Sequence, residues 1–423
     1  MPSERTDADA RWVSMSRSSG LQIHASGPNI DVTQLPPGEG TVLRRGGNLQ
    51  EEEALFGWHP QWLPGAAATE RRDSLGEQPV SQVPLREKVE FVRALQAKLT
   101  GRDPRIVQTD VLYREVTEQR RIATDRFDRE SRLSRVLLFA VAVVHDGGRT
   151  DMNRLVRAGS GGFEVVSGVS DAELDAMVEE AVRVLGAESI EPGSYRVVTH
   201  PEVSGVIAHE AFGHGVEMDL FLSGRARAGR YMGTRVGSDL VTIVDDPTVE
   251  GGYGSYPFDD DGTPAAPHDI VSGGILTQGL SDAEVASALG ASGGNGRRQD
   301  YTRKVYPRMS NTFFRPGGVS VEELIRGVDR GVYLRQVSSG MEDPLNWGMQ
   351  VICHHGEEIR DGALTGRLYR TMPVTGYVPE VLSSVDGVAG DFELTPGTCG
   401  KGWKEWVPVT SGGPHLRMTV RLG

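Results

Sequence analysis

The stretch SYRVVTHPEVSGVIAHEAFGHG, residues 194–215, combines a strand pattern with a helix that carries a histidine–glutamate pair. Its β-branched and aromatic residues predict a strand over Tyr195–Thr199, and a proline two residues later is typical of the first turn of a helix. The histidines at 209 and 214 are five residues apart, whereas the zinc-binding H-E-x-x-H pattern places them four apart on one helix face. On a regular helix a spacing of five separates side chains by roughly 140°. A shared metal therefore requires the helix to become irregular between the two histidines.

Two irregular geometries would bring His209 and His214 together. A π-bulge aligns residues five apart, and such bulges favour functional sites. Alternatively, the helix ends at Gly213 and His214 folds back from the following loop. Gly213 and Gly215 flank His214, and glycine removes the steric barrier to a non-helical turn. The residues favour an irregular turn and leave both geometries open.

Two imidazoles supply half of a zinc site, because a catalytic zinc usually has three protein ligands and an open position. The candidates for the third ligand are Glu217 or Asp219 nearby, and Cys399 in the glycine-rich segment TPGTCGKGW. A thiolate with two histidines suits the tetrahedral preference of zinc. Glu210, adjacent to a ligand, is then placed to take a proton from a metal-activated water and to return it to the leaving amine.

A rival histidine cluster occurs at Cys353–His355. Successive side chains of a strand point to opposite faces, so His354 and His355 are predicted to be a poor joint chelator. The histidines at positions 200, 268 and 415 are interpreted as core or surface residues.

Upstream of this segment, apolar residues at helical spacing predict a helix over 84–101, and a Ser170–Glu173 capping box predicts a second helix over 170–186. Alternating or apolar runs predict strands over 105–117 and 135–148, with a third at 159–168. In residues 1–83, short strands are expected at 12–16 and 40–43 with long loops between them. Downstream, turn-bounded strands dominate, and capping boxes Ser281–Glu284 and Ser320–Glu323 predict two short helices.

Composition and charge exclude several classes of protein. The 423-residue chain has a net charge of −13, which argues against a nucleic-acid binder because phosphate neutralisation needs clustered basic residues. There is no apolar run long enough for a transmembrane helix and no signal-peptide pattern at the amino terminus, so a cytoplasmic protein is expected. Two cysteines exclude a disulfide framework.

Four long motifs carry a resemblance to a known family. They are AHEAFGHGVEMD (208–219), VTIVDDPTVEGGYGSYPFDDDGTPA (241–265), GNGRRQDYTRKVYPRMSNTFFRPGG (294–318) and PGTCGKGWKEWVPVTSGGPHLRM (396–418). Together they resemble the TldD-like, catalytic side of the TldD/PmbA metallopeptidases. The resemblance implies Zn²⁺ held by His209, His214 and Cys399, with Glu210 as the catalytic acid/base. It also implies an α+β fold, with an amino-terminal α/β domain (1–190, an antiparallel sheet flanked by helices) and a β-rich, barrel-like domain (191–423).

The resemblance further implies an enzyme that hydrolyses unfolded or small peptides in an enclosed dimer tunnel, paired with a TldE/PmbA-like subunit or with itself. Two alternatives stay open: a metal-stabilised peptide-binding subunit, and a dedicated leader-peptide protease of a natural-product pathway. Asn295, Arg297 and Arg298 are candidate substrate contacts, although the arginines could instead pair with Asp259–Asp261. The segment 334–351 departs from the family in lacking a longer glycine-rich stretch.

Overall fold

The structure is a computed structural model that describes residues 10–45, 52–60, 63, 68–402 and 404–423. Across these ranges, no helix has the length and apolar character needed to cross a membrane.

The amino-terminal part is a mostly antiparallel sheet covered by helices. Its strands are β1 Ala10–Ser26, β2 Asn29–Arg45, β3 Glu52–Phe56, β4 Thr69–Ser74, β5 Ile106–Thr124, β6 Asp128–Asp146 and β7 Arg149–Ser160. Its helices are α1 Leu85–Thr100, α2 Glu164–Ser167 and α3 Asp171–Val184, with a 3₁₀ turn at Val80–Gln82. The strand order is β3-β2-β1-β5-β6-β4, and β7 pairs with the other part of β6. Apolar residues of α1 and α3, such as Val92 and Leu174, pack in one core with Val111 and Leu138 of the sheet.

The helices predicted over 84–101 and 170–186 are confirmed. Pro84 and Gly101 flank α1, and the Ser170–Glu173 capping box at the start of α3 is formed in both directions.

The prediction of short strands with long loops at the amino terminus is wrong. Strands β1 and β2 each run for 17 residues and form one hairpin around Gly27 and Pro28. The prolines at 36 and 37 misled the prediction, because proline cannot donate a ladder hydrogen bond. In the β1–β2 hairpin the two prolines lie at an irregularity, between the residues of β2 that pair with Ser18 and with Gly20. On the other side of β2, the strand β3 pairs only with residues 40–44. No described strand therefore forms a ladder hydrogen bond that would require an N–H group at either proline.

The third strand predicted at 159–168 is also wrong, because the strand ends at Ser160 and residues 164–167 are helical. The carboxylate of Glu164 accepts hydrogen bonds from the backbone N–H groups of Gly162 and Gln78, at 2.7 and 2.8 Å. These local bonds stabilise a turn, and Phe163 and Val166 enter the core from it. The strand β7 was missed because its polar residues, including Arg154 and Arg157, hide the alternation.

The carboxy-terminal part is rich in short strands. They are β8 Gly193–Thr199, β9 Ile243–Asp245, β10 His268–Ser272, β11 Ile275–Leu276, β12 Gly296–Arg297, β13 Tyr306–Pro307, β14 Asn311–Phe314, β15 Arg330–Asp343, β16 Gly348–Arg360, β17 Ala363–Tyr377, β18 Gly387–Val388, β19 Glu393–Lys401, β20 Lys404–Gly413 and β21 Leu416–Leu422. The helices are α4 Pro201–Phe212, α5 Asp219–Leu222, α6 Ala283–Leu289, α7 Val321–Arg326 and α8 Val378–Ser383, with 3₁₀ turns at His214–Val216 and Ala228–Arg230.

Two sheets enclose the helix α4. One follows the order β17-β16-β15-β8-β21, and a further pairing of β21 with β17 closes these strands into a barrel. The other follows the order β11-β10-β9-β14-β20-β19. Helix α4 contacts β15 of the first sheet and both β14 and β20 of the second. The α+β fold with a barrel-containing carboxy-terminal part is therefore confirmed, whereas the domain boundary near residue 190 stays a prediction.

The two predicted short helices exist, but one begins differently. The Ser320–Glu323 capping box is formed. The helix α6 is capped by Asp282, whose carboxylate accepts the N–H of Val285 at 2.8 Å, and not by Ser281. The Ser281 hydroxyl instead donates to the carbonyl of Ser292. Ser281 and Asp282 are both favourable N-cap residues, and the capping-box spacing of Ser281 and Glu284 led to the wrong choice between them.

An acidic turn at residues 259–261 joins the amino-terminal sheet to the carboxy-terminal part. Arg120 of β5 donates to Asp260 at 2.6 Å, and Arg44 of β2 donates to Asp261 at 2.5 Å. All four of these side chains are at least 90 % buried. The Trp12 indole also donates to the Asp261 carbonyl at 3.0 Å. These two buried ion pairs therefore fix the position of the amino-terminal sheet against the carboxy-terminal part.

We expect Arg120→Leu to lower the free energy of unfolding by about 3–5 kcal/mol, because Asp260 would remain buried without its main cation. Urea denaturation followed by tryptophan fluorescence measures this change. The matched control is Arg86→Leu, since Arg86 pairs with Glu90 on an exposed face of α1 and should have little effect. Equal stability of the Arg120 variant and the wild type would contradict a structural role for this pair.

Candidate metal centre

The helix α4 is held in place by both of its ends and by close packing. His200 caps its start, where the imidazole Nδ1 accepts the N–H of Glu202 at 3.3 Å, and Pro201 occupies the first helical turn. In the middle, a methyl group added at Gly205 would lie 2.2 Å from the backbone nitrogen of Gly412 in β20. This packing places the last turn of the helix, which carries His209 and Glu210, in the interior between the two sheets.

The two histidines meet because the helix ends between them. The last helical residue is Phe212, the N–H of Gly213 donates to the His209 carbonyl at 3.0 Å, and a 3₁₀ turn begins at His214. The two rings lie 5.2 Å apart between centroids and are nearly perpendicular, at 87°. Of the two geometries that the sequence left open, the helix end is therefore the one adopted, and not the π-bulge.

Glycine is required at position 213 for a different reason from the one expected. Its φ of −89° is accessible to any residue. A side-chain carbon there would, however, lie only 2.2 Å from the His209 carbonyl oxygen. The close approach of the turn to its own helix, and not an unusual backbone angle, excludes other residues.

Cys399 completes a group of three possible metal ligands. It lies on β19, near the turn of the β19–β20 hairpin, and its sulfur is 3.2 Å from Nε2 of His214. One ligand atom from each of His209, His214 and Cys399 lies within 4.8 Å of the others, and the part of the chain that the structure describes contains no other such group of three. Ligand atoms around a tetrahedral zinc are separated by roughly 3.5 Å, given bonds of about 2.0–2.3 Å.

The donor set fits a zinc ion on chemical grounds as well. Nδ1 of His209 is buried and has no hydrogen-bond partner among the described residues, which is unusual for an enclosed polar atom. Burial raises the pKa of the Cys399 thiol, but His214 and His209 together lower it well below its usual value. The thiolate, which is the form that binds metals, is therefore favoured.

Glu217 contacts a candidate ligand and is not part of the group of three possible ligands. Its carboxylate lies 3.5 Å from Nδ1 of His214 and is also paired with Lys401 at 3.0 Å and with Arg308 at 3.2 Å. Although Glu217 is fully buried, the neighbouring Lys401 and His214 hold its pKa well below the usual range. A carboxylate behind a ligating histidine fixes the orientation of the ring. Asp219, the other nearby candidate, pairs with Lys401 at 2.9 Å.

Arg308 was not identified from the sequence, yet it contacts two parts of the site. It is 1 % exposed, and its Nη2 donates to both the sulfur and the carbonyl oxygen of Cys399, at 3.0 and 2.9 Å. Its Nε faces Glu217. In the sequence it is one of many arginines, and only the fold shows that this one is enclosed with the ligands.

Glu210 lies beside the ligand group and is also buried. Burial raises the pKa of its carboxyl group; His209 and His214 lower it, but the net shift is upward. A carboxylate of raised pKa next to an acidified water is suited to accept a proton and to release it again.

The candidate substrate contacts divide into two kinds. Asn295 is fully buried and donates to Asp245 at 2.8 Å and to the Arg308 carbonyl at 3.1 Å, so these contacts give it a structural role. Arg297 and Arg298 line a cleft of about 880 Å³ between the amino-terminal sheet and the β19–β20 hairpin. Thr398 borders the cleft, but the ligand group and Glu210 do not line it. Substrate contact by these three residues stays a prediction.

The arrangement of the rival cluster differs from expectation. The Nδ1 atoms of His354 and His355 lie 3.1 Å apart, so the two rings converge despite their adjacent positions in β16. The outer nitrogens contact Asp151 and Glu180 of the amino-terminal part, at 2.8 and 2.6 Å. Neither histidine belongs to a group of three possible metal ligands among the described residues, and the cluster connects the two parts of the chain through its contacts with carboxylates.

Comparisons with known proteins agree with the motifs. The family model described as the PmbA/TldA metallopeptidase central domain matches residues 78–187, and that of the C-terminal domain matches residues 192–421. A metalloprotease from Methanothermobacter thermautotrophicus is 36 % identical over 84 % of this chain and 77 % of its own length. A zinc metalloprotease TldD homolog from Saccharolobus solfataricus is 31 % identical over 53 % of this chain and 50 % of its own. The chain belongs to the PmbA/TldD metallopeptidase family.

Solved structures share the fold at low sequence identity. TldE from Thermococcus kodakarensis has a TM-score of 0.74 at 14 % identity, covering 99 % of this chain and 98 % of its own. A Thermotoga maritima protein described as a putative modulator of a DNA gyrase has a TM-score of 0.78 at 18 % identity, covering 97 % and 95 %. At these identities the likeness concerns the fold alone.

We expect Arg308→Met to weaken zinc binding by about 10- to 100-fold, because the thiolate and Glu217 would both lose a charged donor. A competition titration with a chromophoric chelator measures the dissociation constant. Arg303→Met, on the same segment but 44 % exposed, is the matched control. An unchanged affinity in a folded Arg308 variant would show that this contact does not support the ligands.

Proposed function

We propose that the chain is a zinc-dependent peptidase that hydrolyses unfolded or small peptides. The observation that carries the proposal is the convergence of His209, His214 and Cys399 beside the buried carboxylate of Glu210. Two imidazoles and one thiolate are a donor set that zinc favours, and one coordination position would remain open. The name of the Saccharolobus solfataricus relative specifies zinc, which supports the choice of metal.

The chemistry can be assigned to residues of this chain. When bound, Zn²⁺ supplies a Lewis acid that polarises the scissile carbonyl and acidifies a water molecule. Glu210 is placed to accept a proton from an attacking water molecule and to donate it to the leaving amine nitrogen. Glu217 and Arg308 hold His214 and Cys399 in orientation, through the contacts described above. The surrounding apolar core, including Phe212 and Met309, limits access of bulk solvent.

An extended peptide is the substrate form that this site suits best. The strand β19, which carries Cys399, is the last strand of its sheet, so one edge has no strand partner among the described residues. A peptide added along that edge would gain main-chain hydrogen bonds without a demand for a particular sequence. Folded proteins cannot present such a free strand, and this favours unfolded segments and short peptides.

A second subunit is part of the proposal. Met341 and Leu345, on the hairpin between β15 and β16, are 58 % and 54 % exposed. Exposed apolar side chains near the site favour a surface that a second subunit covers. A TldE/PmbA-like subunit or a second copy of the chain would enclose the site as a tunnel. The two free cysteines, one of them a proposed ligand, suit a reducing cytoplasm.

Glu210→Gln should lower kcat on an unfolded peptide mixture by at least about 100-fold, because the general base is lost. Zinc content, measured by elemental analysis, should stay near that of the wild type, since Glu210 is not among the proposed ligands. Glu250→Gln, at an exposed position, is the control. Peptide cleavage is followed by mass spectrometry with and without a TldE-like partner. Full activity of the Glu210 variant would refute the assigned role, and a peptide that binds but is never cut by the wild type would favour a binding subunit.

Cys399→Ala should abolish stoichiometric zinc binding and activity together, because only two protein ligands would remain. Cys353→Ala is a matched control, since Cys353 is also a buried free cysteine but lies outside the ligand group. Elemental analysis of both purified variants gives the result directly. Full zinc and activity in the Cys399 variant would show that the third ligand is assigned wrongly.

A further inference from the structure

One carboxylate at the edge of the candidate metal centre has no hydrogen-bond partner among the described residues. Both oxygens of Glu342, the second-last residue of β15, are enclosed and form no hydrogen bond or ion pair within the described part of the chain. An ionised carboxylate in such a position costs several kcal/mol unless a cation or a donor compensates it. The side chain therefore marks a place where a positive ligand would be stabilised.

The other charged groups of the centre are already matched. Glu217 is paired with Arg308 and Lys401, and Asp219 is paired with Lys401. Cys399 accepts a hydrogen bond from Arg308. Arg308 and Lys401 are thus already paired with carboxylates. Burial raises the pKa of the Glu342 carboxyl group well above its usual value; the carboxylates of Glu210, Glu217 and Asp343 raise it further, whereas His214 lowers it.

Glu342 lies close to the turn that carries His214 and on the same strand as a residue that contacts Glu210. A methyl group added at Gly215, next to His214, would lie 2.6 Å from one Glu342 oxygen and 3.2 Å from the other. Two residues earlier in β15, a methyl group added at Gly340 would lie 2.7 Å from Oε1 of Glu210. Residues two apart in a strand share a face, so one face of β15 contacts both the proposed general base and the turn that carries a proposed ligand.

We propose that Glu342 forms an anionic subsite that binds a primary ammonium group of the peptide substrate close to the bond that is cut. The inference rests on the proposed peptidase function. A peptide carries this chemistry either at its amino terminus or on a lysine side chain. Binding of the amino terminus would restrict cleavage to the first bonds of a peptide, whereas binding of lysine would select a residue near the cleavage point.

The binding test uses the catalytically silenced protein, so that its result does not depend on turnover. Zinc-loaded Glu210→Gln protein is titrated by calorimetry with three versions of one short peptide: a free amino terminus with lysine, an acetylated amino terminus with lysine, and a free amino terminus with norleucine. Adding Glu342→Gln should weaken binding of the peptides that carry the recognised ammonium by about 10- to 100-fold, the range for a hydrogen bond to a charged group. The version that lacks that ammonium should already bind weakly and should respond little to the substitution.

The kinetic test uses Glu342→Gln alone, with Glu250→Gln as the control. We expect a higher KM for the ammonium-bearing peptide, with kcat and zinc content near those of the wild type. Equal weakening of all three peptides, or no weakening of any, would overturn the inference. Loss of a second equivalent of zinc in the Glu342 variant would also overturn it, because the side chain would then bind a metal. If the wild type cuts no peptide at all, the proposed function fails, while the calorimetric result still decides whether the subsite exists.

Discussion

The buried guanidinium of Arg308 is the interaction on which the candidate metal centre depends. It precedes β14 and reaches two separate segments, the 3₁₀ turn after α4 through Glu217 and the β19–β20 hairpin through Cys399 and the carbonyl of Glu405. A buried arginine is tolerated only where its charge and its donors are satisfied. Because the guanidinium group of Arg308 forms an ion pair with Glu217 and donates hydrogen bonds to Cys399 and Glu405, it holds the segment that follows His214 close to the hairpin that carries Cys399.

The acidic turn at 259–261 extends this constraint to the amino-terminal sheet. Its carboxylates bind Arg44 and Arg120 from that sheet, and they also accept the backbone N–H groups of Gly296 and Arg298. The sheet is thus docked against the segment 294–298, and the cleft lined by Arg297 and Arg298 forms between them. Arg298 contacts this turn through its backbone N–H. The alternative that the side chains of Arg297 and Arg298 pair with the acidic turn stays a prediction.

The sequence predicted most of what depends on local chemistry. The helix bounded by Pro84 and Gly101 and the capping boxes at Ser170 and Ser320 follow from rules that act over a few residues. The five-residue histidine spacing required an irregular turn, and the turn exists. Predictions failed where distant contacts decide the outcome, as for the prolines of β2, whose missing N–H groups face no described strand, and for the strand β7.

The same limit applies within the site. His209, His214 and Cys399 could be proposed because their chemistry is specific and their motifs are long. Arg308 and Glu342 could not, since nothing in the local sequence distinguishes a buried arginine or glutamate from a solvated one. Their importance depends on which charges surround them, and a distance between segments almost a hundred residues apart cannot be read from either segment.

Three glutamates of the candidate site have identical side chains but different surroundings, and we propose a different role for each. Glu217 is enclosed with two cations, so it stays ionised and can orient a histidine permanently. Glu210 is buried beside two imidazoles, which only partly offset the effect of burial, so its charge can change during a reaction. Glu342 is buried near other carboxylates and forms no ion pair within the described residues, which is why we propose that it binds a positively charged group of the substrate. The three side chains are chemically identical, so the different roles proposed for them rest on the charged groups that surround each one and on how deeply each is buried.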